Sequence, residues 1–485
     1  AIEKKEQIII FGDYDADGVS GTAILWETLN SLSANVMPYI PHRVEEGYGL
    51  SVKGIENLLK TFPNTKLIIT VDNGIVANKA VEFANSLGLD VIITDHHVPG
   101  KNLPKAYSIV HSTKICGAGV AWFFSKQIKN KKSNLKSESA NGHLALVALA
   151  TVADVMPLNG FNRTLLKIGL ESLKKTKRIG LIELFKLAAI DANKIGAYEI
   201  GHIIAPRLNA MGRIQHAMDS LRLICTNNKS RAQELAQKLN STNLERQQMT
   251  LDSFLHAKGN ISEKTIKKIL FIAHESYEPG VIGLIAGKLT EEFYRPSIVL
   301  SIGKEYSKAS ARSIAGFNII EFIRLSSDLL VDAGGHPMAA GFTVETKNIT
   351  KLQKLLEKLA EEQLADGLLV RKLKIDCELD LDLINEELFA EISKLAPFGQ
   401  GNPEPAFLSK GVVIENMQIV GKDGRHLRIQ VKSQNSKVKI GGILFGYDQS
   451  LDLKIGDKID IVYVISQNEW NGNKKLELKI KDIKS

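Results

Sequence analysis

The chain has 485 residues, of which 44% are hydrophobic and 24% charged, and its 62 Lys and Arg exceed its 54 Asp and Glu by eight. This is the composition of an ordinary soluble globular protein of two to four domains, and no apolar run approaches the length of a membrane span. Three cysteines, Cys116, Cys225 and Cys377, lie far apart in sequence, which implies a reducing, cytoplasmic setting and excludes a zinc ribbon.

No signal-peptide pattern opens the chain. It begins Ala1-Ile2-Glu3 and reaches its first strand almost at once, which leaves room for a preceding N-terminal segment. Ile8 to Phe11 reads as that strand, followed by Gly12-Asp13-Tyr14-Asp15-Ala16-Asp17-Gly18. Three carboxylates at alternate positions, closed by a glycine, suit a hard cation such as Mg²⁺, Mn²⁺ or Ca²⁺. The EF-hand loop has the same opening but needs a helix before it and a Glu at its twelfth position, where this chain has Ile24. A solvated acidic turn explains one such stretch equally well.

The next elements make that reading harder to keep. A helix is expected from about Ser20 to Leu32 and a strand over Val36–Tyr39. Lys66 to Val71 is an apolar run ending in Asp72-Asn73-Gly74, with a helix near Ala77 to Leu87. Asp90 to Thr94 is another strand, ending in Asp95-His96-His97. Short buried strands alternating with helices predict βαβ units and a mostly parallel sheet. In such sheets ligands bind beyond the carboxyl ends of the strands, and three strands here end in polar clusters at that edge.

Lys129 to Asn141 is polar and is expected to be an exposed loop or insertion. Gly142 to Asp154 reads as an apolar helix with an acid at its end, where the helix dipole disfavours one and a nearby metal would remove the conflict. Residues 163 to 200 look helical, and Ala205 to Ile214 is expected to be a glycine-containing loop carrying Arg207, Asn209 and Arg213. Lys229 to about Lys258 has no Pro and no Gly and predicts one long helix linking two lobes. A second α/β unit follows, with strands at Ile266–His274 and Ser297–Ile302 and a helix opened by Gly280-Val281-Ile282-Gly283. Ser310-Ala311-Arg312-Ser313 and Gly334 to Gly341 are expected between its strands and helices, where glycine lets a ligand approach and Arg and His suit a phosphate, although such turns are more often structural. Beyond about Lys372, five short strands (Val412–Ile419, His426–Val431, Lys437–Leu444, Lys458–Ile465 and Lys475–Ile480) and a helical stretch near Asn385–Lys394 fit a small OB-type barrel. From Gly401 to Ser485, 14 Lys and Arg face 10 Asp and Glu. Tyr447, Tyr463 and Trp470 could stack on bases, but each reads more readily as barrel core.

Together the acids and His96 offer six or more hard ligands from four segments. One bridging carboxylate between two ions about 3.5–4 Å apart is the arrangement used for phosphoester hydrolysis, and the bridge is expected to be Asp72, on the central strand. Imidazole ligation favours Mn²⁺ over Mg²⁺. Two adjacent histidines point in different directions, so one binds the metal and the other is left for the phosphate or leaving group. So many carboxylates without H-E-x-x-H argue against a zinc hydrolase.

GDYDADG, VDNG, TDHH and the helix ending at Asp154 resemble, in order, the four motifs of the DHH phosphoesterases. APRLNAMGR, PGVIGLIAGKL, the SARS stretch, GGHPMAAG and LAPFGQGNPEPAF at 395–407 resemble the longer RecJ-type single-strand-specific exonucleases of that family. This resemblance spans essentially the whole chain. It implies a DHH domain over 1–225, a connecting helix over 226–262, a DHH-associated nucleic-acid-binding domain over 263–368 and an OB domain over 369–485. It also implies processive 5′-to-3′ degradation of single-stranded DNA to mononucleotides with Mn²⁺ or Mg²⁺, in repair and recombination, with a single-strand-binding protein and a helicase as candidate partners.

Carried over by position, one metal takes Asp15 and Asp72 with Asp13, and the other takes Asp17, Asp72, His96 and Asp154. His97 would contact the scissile phosphate and Asp95 would orient its neighbours. Arg213, Ser310, Arg312 and His336 would face nucleic acid, with Arg43 and Arg207 as further candidates. Two departures stand out: Asp13 substitutes for a histidine that relatives carry near Phe11 or Gly12, and Tyr277-Glu278 replaces a Trp-His pair. Two other readings compete, a DHH enzyme for short oligonucleotides or cyclic dinucleotides and a catalytically inactive replication scaffold. The added barrel argues against the first and the complete ligand set against the second. Selectivity for single strands is expected from a passage between the two lobes too narrow for a duplex.

Overall fold

The computed structural model describes residues 1–43, 45–132, 139–262, 266–421, 424–434, 437–447, 451–470 and 473–484. The chain divides into two units, one of residues 1–156 and 161–371, the other of residues 157–160 and 372–485.

The larger unit begins with β1 (Gln7–Phe11), α1 (Ala16–Ser31), β2 (Val36–Tyr39), α2 (Val52–Thr61), β3 (Thr65–Val71), α3 (Asn78–Ser86), β4 (Asp90–Asp95) and β5 (Ser108–His111). These strands pair in parallel in the order β2-β1-β3-β4-β5. Alternate residues of β1 feed two cores. Ile8 and Ile10 pack with Leu25 and Leu29 of α1 on one face, and Ile9 and Phe11 with Ile55 and Leu58 of α2 on the other. Full burial of each such side chain stabilises by about 1.5–3 kcal/mol, so both faces hold the strand in register and fix which residues lie past its end. The order reverses at β1, with β2 on one side and β3 on the other. This switch opens a crevice beyond the carboxyl ends of β1 and β3.

Helices α4 (Gly117–Lys132), α5 (Ser139–Ala153), α6 (Gly160–Lys174), α7 (Ile179–Leu187), α8 (Ala205–Ile214) and α9 (Met218–Cys225) follow, and then α10 (Lys229–Gly259), the long helix expected from its lack of Pro and Gly. Asn228 caps α10 through the Arg231 amide. Its 31 residues lead to a second sheet of β6 (Leu270–His274), β7 (Ser297–Ser301), β8 (Tyr306–Arg312), β9 (Leu330–His336) and β10 (Ala339–Glu345), with α11 (Ile282–Phe293), α12 (Ile319–Arg324) and α13 (Ile349–Gln363). Its order is β6-β7-β8-β10-β9, with β6 and β7 parallel and the other pairs antiparallel.

The smaller unit holds β11 (Cys377–Glu378), α14 (Glu386–Ser393), β12 (Phe407–Val420), β13 (His426–Lys432), β14 (Lys439–Phe445), β15 (Lys458–Trp470) and β16 (Asn473–Lys484). The pairing of β12 with β15 closes the sheet into an OB-type barrel. Tyr463 is wholly buried in its core and Tyr447 packs against it, so both serve the barrel; the side chain of Trp470 lies outside the described residues.

Several local expectations are corrected. Helix α1 starts at Ala16, four residues early, because the Asp15 carboxylate accepts from the Asp17 and Gly18 amides. Ala205–Ile214 is a helix, not a loop: Pro206 sits in the first turn, where its missing amide costs nothing, after a π-helical stretch over Glu199–Ile204. Gly212 marks close packing, since a Cβ there would lie 2.4 Å from the Tyr14 carbonyl oxygen. The exposed loop expected over 129–141 is helical at both ends, in α4 to Lys132 and in α5 from Ser139, and residues 133–138 lie outside the described residues. Ser310 and Arg312 lie on β8 itself, and Gly334–Gly341 forms the β9–β10 hairpin.

Candidate active site

Four segments converge at the carboxyl edge of the first sheet. Beyond β1, Asp13 accepts from the Tyr14 amide at 2.8 Å, Asp15 caps α1, and Asp17 lies in the first helical turn. Asp17 also accepts from the Gly117 and Ala118 amides at 2.7 and 2.6 Å, so the start of α4 grips its carboxylate. Beyond β3 comes Asp72, in a left-handed conformation with φ of 64°, its turn held by Asn73 donating to the Phe11 and Val71 carbonyls. Beyond β4, Asp95 accepts from the Ile75, His96 and His97 amides and from the His97 ring. Asp154 follows the last residue of α5.

These side chains form three groups of ligand atoms, each within 4.8 Å: Asp13, Asp15 and Asp72; Asp17, His96 and Asp154; and Asp72, His96 and His97. Asp72 joins two of them. The His96 Nε2 lies 3.1 Å from Asp72 Oδ1, 3.6 Å from Asp154 and 3.8 Å from Asp17. Gly117 is required here, because a Cβ would sit 2.5 Å from Asp72 Oδ1.

The electrostatics are those of buried carboxylates crowded against one another. Burial, then repulsion from neighbouring carboxylates, holds Asp13 and Asp72 well above the usual carboxylate range. The same causes push Asp17 to about 7 and Asp154 to about 8. Burial and the adjacent His97 lower His96 to about 4, so its ring is neutral at pH 7. Asp72 Oδ1 and His96 Nε2 are both buried without a hydrogen-bond partner, although they face each other at 3.1 Å. Two buried lone-pair donors at that separation, among crowded acids, fit a divalent cation. Carboxylates with a single imidazole suit Mn²⁺ or Mg²⁺.

His97 differs from its neighbour. Burial disfavours its charged form, but the hydrogen bond from Nδ1 to Asp95 at 2.8 Å prevails and raises it to about 9. Its Nε2 meets the Tyr48 hydroxyl at 3.1 Å, and His111 Nε2 donates to its carbonyl at 2.7 Å. The His336 ring, from the end of β9, stacks on it with centroids 6.2 Å apart.

A cleft of about 390 Å³ opens beside these groups, lined by Tyr14, Arg43 and Tyr48 from the first lobe, Arg213 from α8, and Ser310 and Arg312 from the second. Arg43 lies over the Tyr14 ring at 4.8 Å. Arg213 donates to the Gly280 carbonyl, and Arg312 to Ser310 Oγ and its neighbour's carbonyl. Burial and the charges of Arg43, Arg246 and Arg312 lower Arg213 to about 10. Arg207, expected with this group, does not line the cleft: it turns to α10, bonding Asn240 at 3.0 Å and the Ile203 carbonyl at 2.7 Å. Tyr48, Tyr14, His111 and the Gly117–Ala118 amides were not expected. Only Tyr48 left a trace in sequence, five residues after Arg43 in a glycine-flanked stretch.

Comparison with known proteins agrees along the chain. Residues 7–151 match the N-terminal domain of the DHH family, 265–362 the DHHA1 domain and 375–482 the RecJ OB domain. The chain is 37% identical to the single-stranded-DNA-specific exonuclease RecJ of Bacillus subtilis, over 99% of its own length and 62% of that protein's. It is 32% identical to the RecJ of Escherichia coli, over 100% of its own length and 88% of that protein's. The crystal structure of Thermus thermophilus RecJ with Mn²⁺ superposes with a TM-score of 0.86 at 30% identity, covering 100% of this chain and 70% of that one. The complex of that protein with Mg²⁺ gives 0.79 at 28% identity, covering 100% and 68%. This chain thus spans less than two thirds of the Bacillus protein. With three domain matches in this order and full-length identity to the Escherichia coli protein, the chain belongs to the RecJ family of single-stranded-DNA-specific exonucleases.

Proposed function

We propose that this chain degrades single-stranded DNA from its 5′ end to 5′-mononucleotides at a centre for two divalent cations, Mn²⁺ or Mg²⁺. The observation that carries this reading is Asp72, which stands at the sheet's switch point, joins two ligand groups and presents a buried oxygen with no partner. Asp13, Asp15 and Asp72 would hold one ion, and Asp17, Asp72, His96 and Asp154 the other. Bound there, the ions supply Lewis acidity and neutralise the charge that develops as the phosphodiester is hydrolysed.

The chain's own groups do the rest. Asp95 fixes the His97 ring through Nδ1, which leaves Nε2 to face the scissile phosphate, with Tyr48 holding its direction. The cleft arginines choose the end of the strand. A terminal phosphomonoester carries more charge than an internal diester, and Arg43, Arg213 and Arg312 with Ser310 make a pocket for it. With the terminal phosphate in the cleft and the next one at the metals, each cut frees one nucleotide. A passage walled by both lobes and too narrow for a duplex would account for single-strand selectivity. His336, on His97, closes the path from the second lobe.

The domain limits proposed are 1–225, 226–262, 263–368 and 369–485, the last for contacts to the strand. DNA repair and recombination in the cytoplasm, with a single-strand-binding protein and a helicase, is the setting this activity suits. The test uses single-stranded DNA with Mn²⁺, labelled at the 5′ end, labelled at the 3′ end, or circular. Early release of labelled mononucleotide from the 5′ end, with the circle intact, is expected. Cleavage of dinucleotides alone would move the function to the small-substrate branch of the family.

A further inference from the structure

The cleft runs on beyond the groups that make a pocket for one phosphate, and Lys308 of β8 also lines it. Lys308, Ser310 and Arg312 alternate along β8, so their side chains rise from one face of the sheet, with successive Cα atoms about 6.8 Å apart. The register with β10 and β9 fixes the direction. Arg312 lies opposite Ala339, and Ala339 opposite His336, whose ring stacks on His97. Lys308 lies opposite Thr343, four residues back along β8. Arg312 Nη1 leans toward Ser310 Oγ at 3.3 Å, so Lys308 is the next cation on the side away from His336. The row between them is bare: Ser310 pairs with Gly341 and Gly341 with Gly334, where a Cβ would meet nothing within 4 Å. A further wall is the start of α11, at Gly280, Ile282 and Gly283. No side chain caps that helix, and an uncapped start favours an anion. Among the described residues Lys308 has no acid within ion-pair distance: Asp332, in the same row, stands beyond Thr343, and Glu345 is taken by Lys347 at 2.9 Å.

We propose that the cleft accepts single strands ending in a 5′-triphosphate, with Lys308 binding the phosphates beyond the first. This rests on the function proposed above. Arg43, Arg213, Arg312 and Ser310 take the phosphate attached to the sugar, and the outer phosphates follow the glycine floor toward Lys308. A phosphomonoester carries a charge of about −1.5 to −2 at pH 7, less than the three guanidiniums and one ammonium of Arg43, Arg213, Arg312 and Lys308. The added phosphates of a triphosphate bring the two closer to balance. The chemistry is that of every other cut. Water adds its oxygen to the phosphorus of the first internucleotide diester, the bond from that phosphorus to O3′ breaks, and of the two water protons one goes to O3′ and one to solvent. The first product is a nucleoside 5′-triphosphate. The shortened strand carries a 5′-monophosphate, so every later cut releases a mononucleotide.

The test gives the full chain and Mn²⁺ one single-stranded oligodeoxynucleotide with either a 5′-monophosphate or a 5′-triphosphate, and identifies the first product by mass spectrometry. Wild type should degrade both, releasing a nucleoside 5′-triphosphate first from the second. Lys308→Gln loses one charge-assisted contact, so kcat/KM should fall about tenfold on the triphosphate strand and far less on the monophosphate strand. Lys308→Arg, which keeps the charge, should retain most of the activity. A triphosphate strand that resists a wild-type chain active on the monophosphate strand would overturn the proposal. So would equal losses on both strands in Lys308→Gln, which would make Lys308 a source of general attraction for the backbone, or no loss on either. Should wild type degrade neither strand, the proposed function fails instead. The subsite is then read by calorimetric titration of the metal-free chain, where dATP should bind more tightly than dAMP and lose that advantage in Lys308→Gln; equal affinities in wild type overturn it.

Discussion

The two sheets of the larger unit treat charge in opposite ways. The first gathers buried carboxylates past the ends of β1 and β3, with neutral His96 among them. The second brings Arg312 on β8 to a cleft where Arg43 and Arg213 already crowd. Each cluster pays for burial twice, in desolvation and in like-charge repulsion. Divalent cations would relieve the first, and on the function proposed a phosphate would relieve the second. A third cluster shows what charge burial looks like when structure alone is served. Glu27 of α1 is bonded bidentately by Arg178, at 2.6 and 2.8 Å, and again by His143 at 2.8 Å. There the charges cancel within the protein and no ligand is called for.

The sharpest way to break this contrast is Asp72→Asn. It should lower activity by at least about a thousandfold, since the carboxylate serves both ions. The fold should survive, and metal-free stability should rise, because one buried like charge is gone; a fall in metal-free stability would contradict the reading of Asp72 as repelled. Arg312→Gln tests the opposite cluster. Loss of a charge-assisted phosphate contact should reduce kcat/KM by about 10–100-fold on a 5′-phosphorylated strand, and much less on a 5′-hydroxyl strand. Equal losses on both would remove the terminal phosphate from the cleft.

Gly117→Ala offers a finer probe. Its Cβ would press on Asp72 and disturb the start of α4 that holds Asp17, so Mn²⁺ affinity should drop about 10–100-fold, as seen by calorimetry. The smallest effect is expected from Glu27→Gln, which should destabilise by about 2 kcal/mol at pH 7 and leave cation stoichiometry unchanged. Burial alone would raise Glu27, but Arg178 and His143 prevail and hold it at about 2, against an ordinary 4.5. A depressed carboxylate stabilises fully above its unfolded value and loses that contribution as pH falls through the folded one. The gap between wild type and Glu27→Gln in denaturant titrations should therefore narrow between pH 4.5 and 2. A gap constant over that range would refute the pairing.

What the sequence showed and what it hid follow from the same physics. Asp13, Asp15, Asp17, Asp72, Asp95 and His96 were legible because each follows an apolar run that can only be a buried strand, and parallel strands place their ends at one edge. The place of Asp72 in two of the three groups of ligand atoms followed from its central strand. The long helix α10 was legible from thirty residues without a breaker. Ala205–Ile214 was misread because Pro206 and Gly212 were taken as loop signals, whereas one opens the helix and the other lets Tyr14 pack against it. Arg207 and Arg213 lie six residues apart on that helix, and only Arg213 lines the cleft, a distinction invisible when the segment is read as a loop. Backbone amides such as those of Gly117 and Ala118 leave no side-chain signature at all.

The most direct test of the account is a count of Mn²⁺ ions. Titration of the full chain by calorimetry, with free Mn²⁺ followed by electron paramagnetic resonance, should give two sites in the wild type and weaken both in Asp72→Asn, with circular dichroism unchanged. A single site, or two sites of undiminished affinity in Asp72→Asn, would contradict the shared carboxylate on which the mechanism depends.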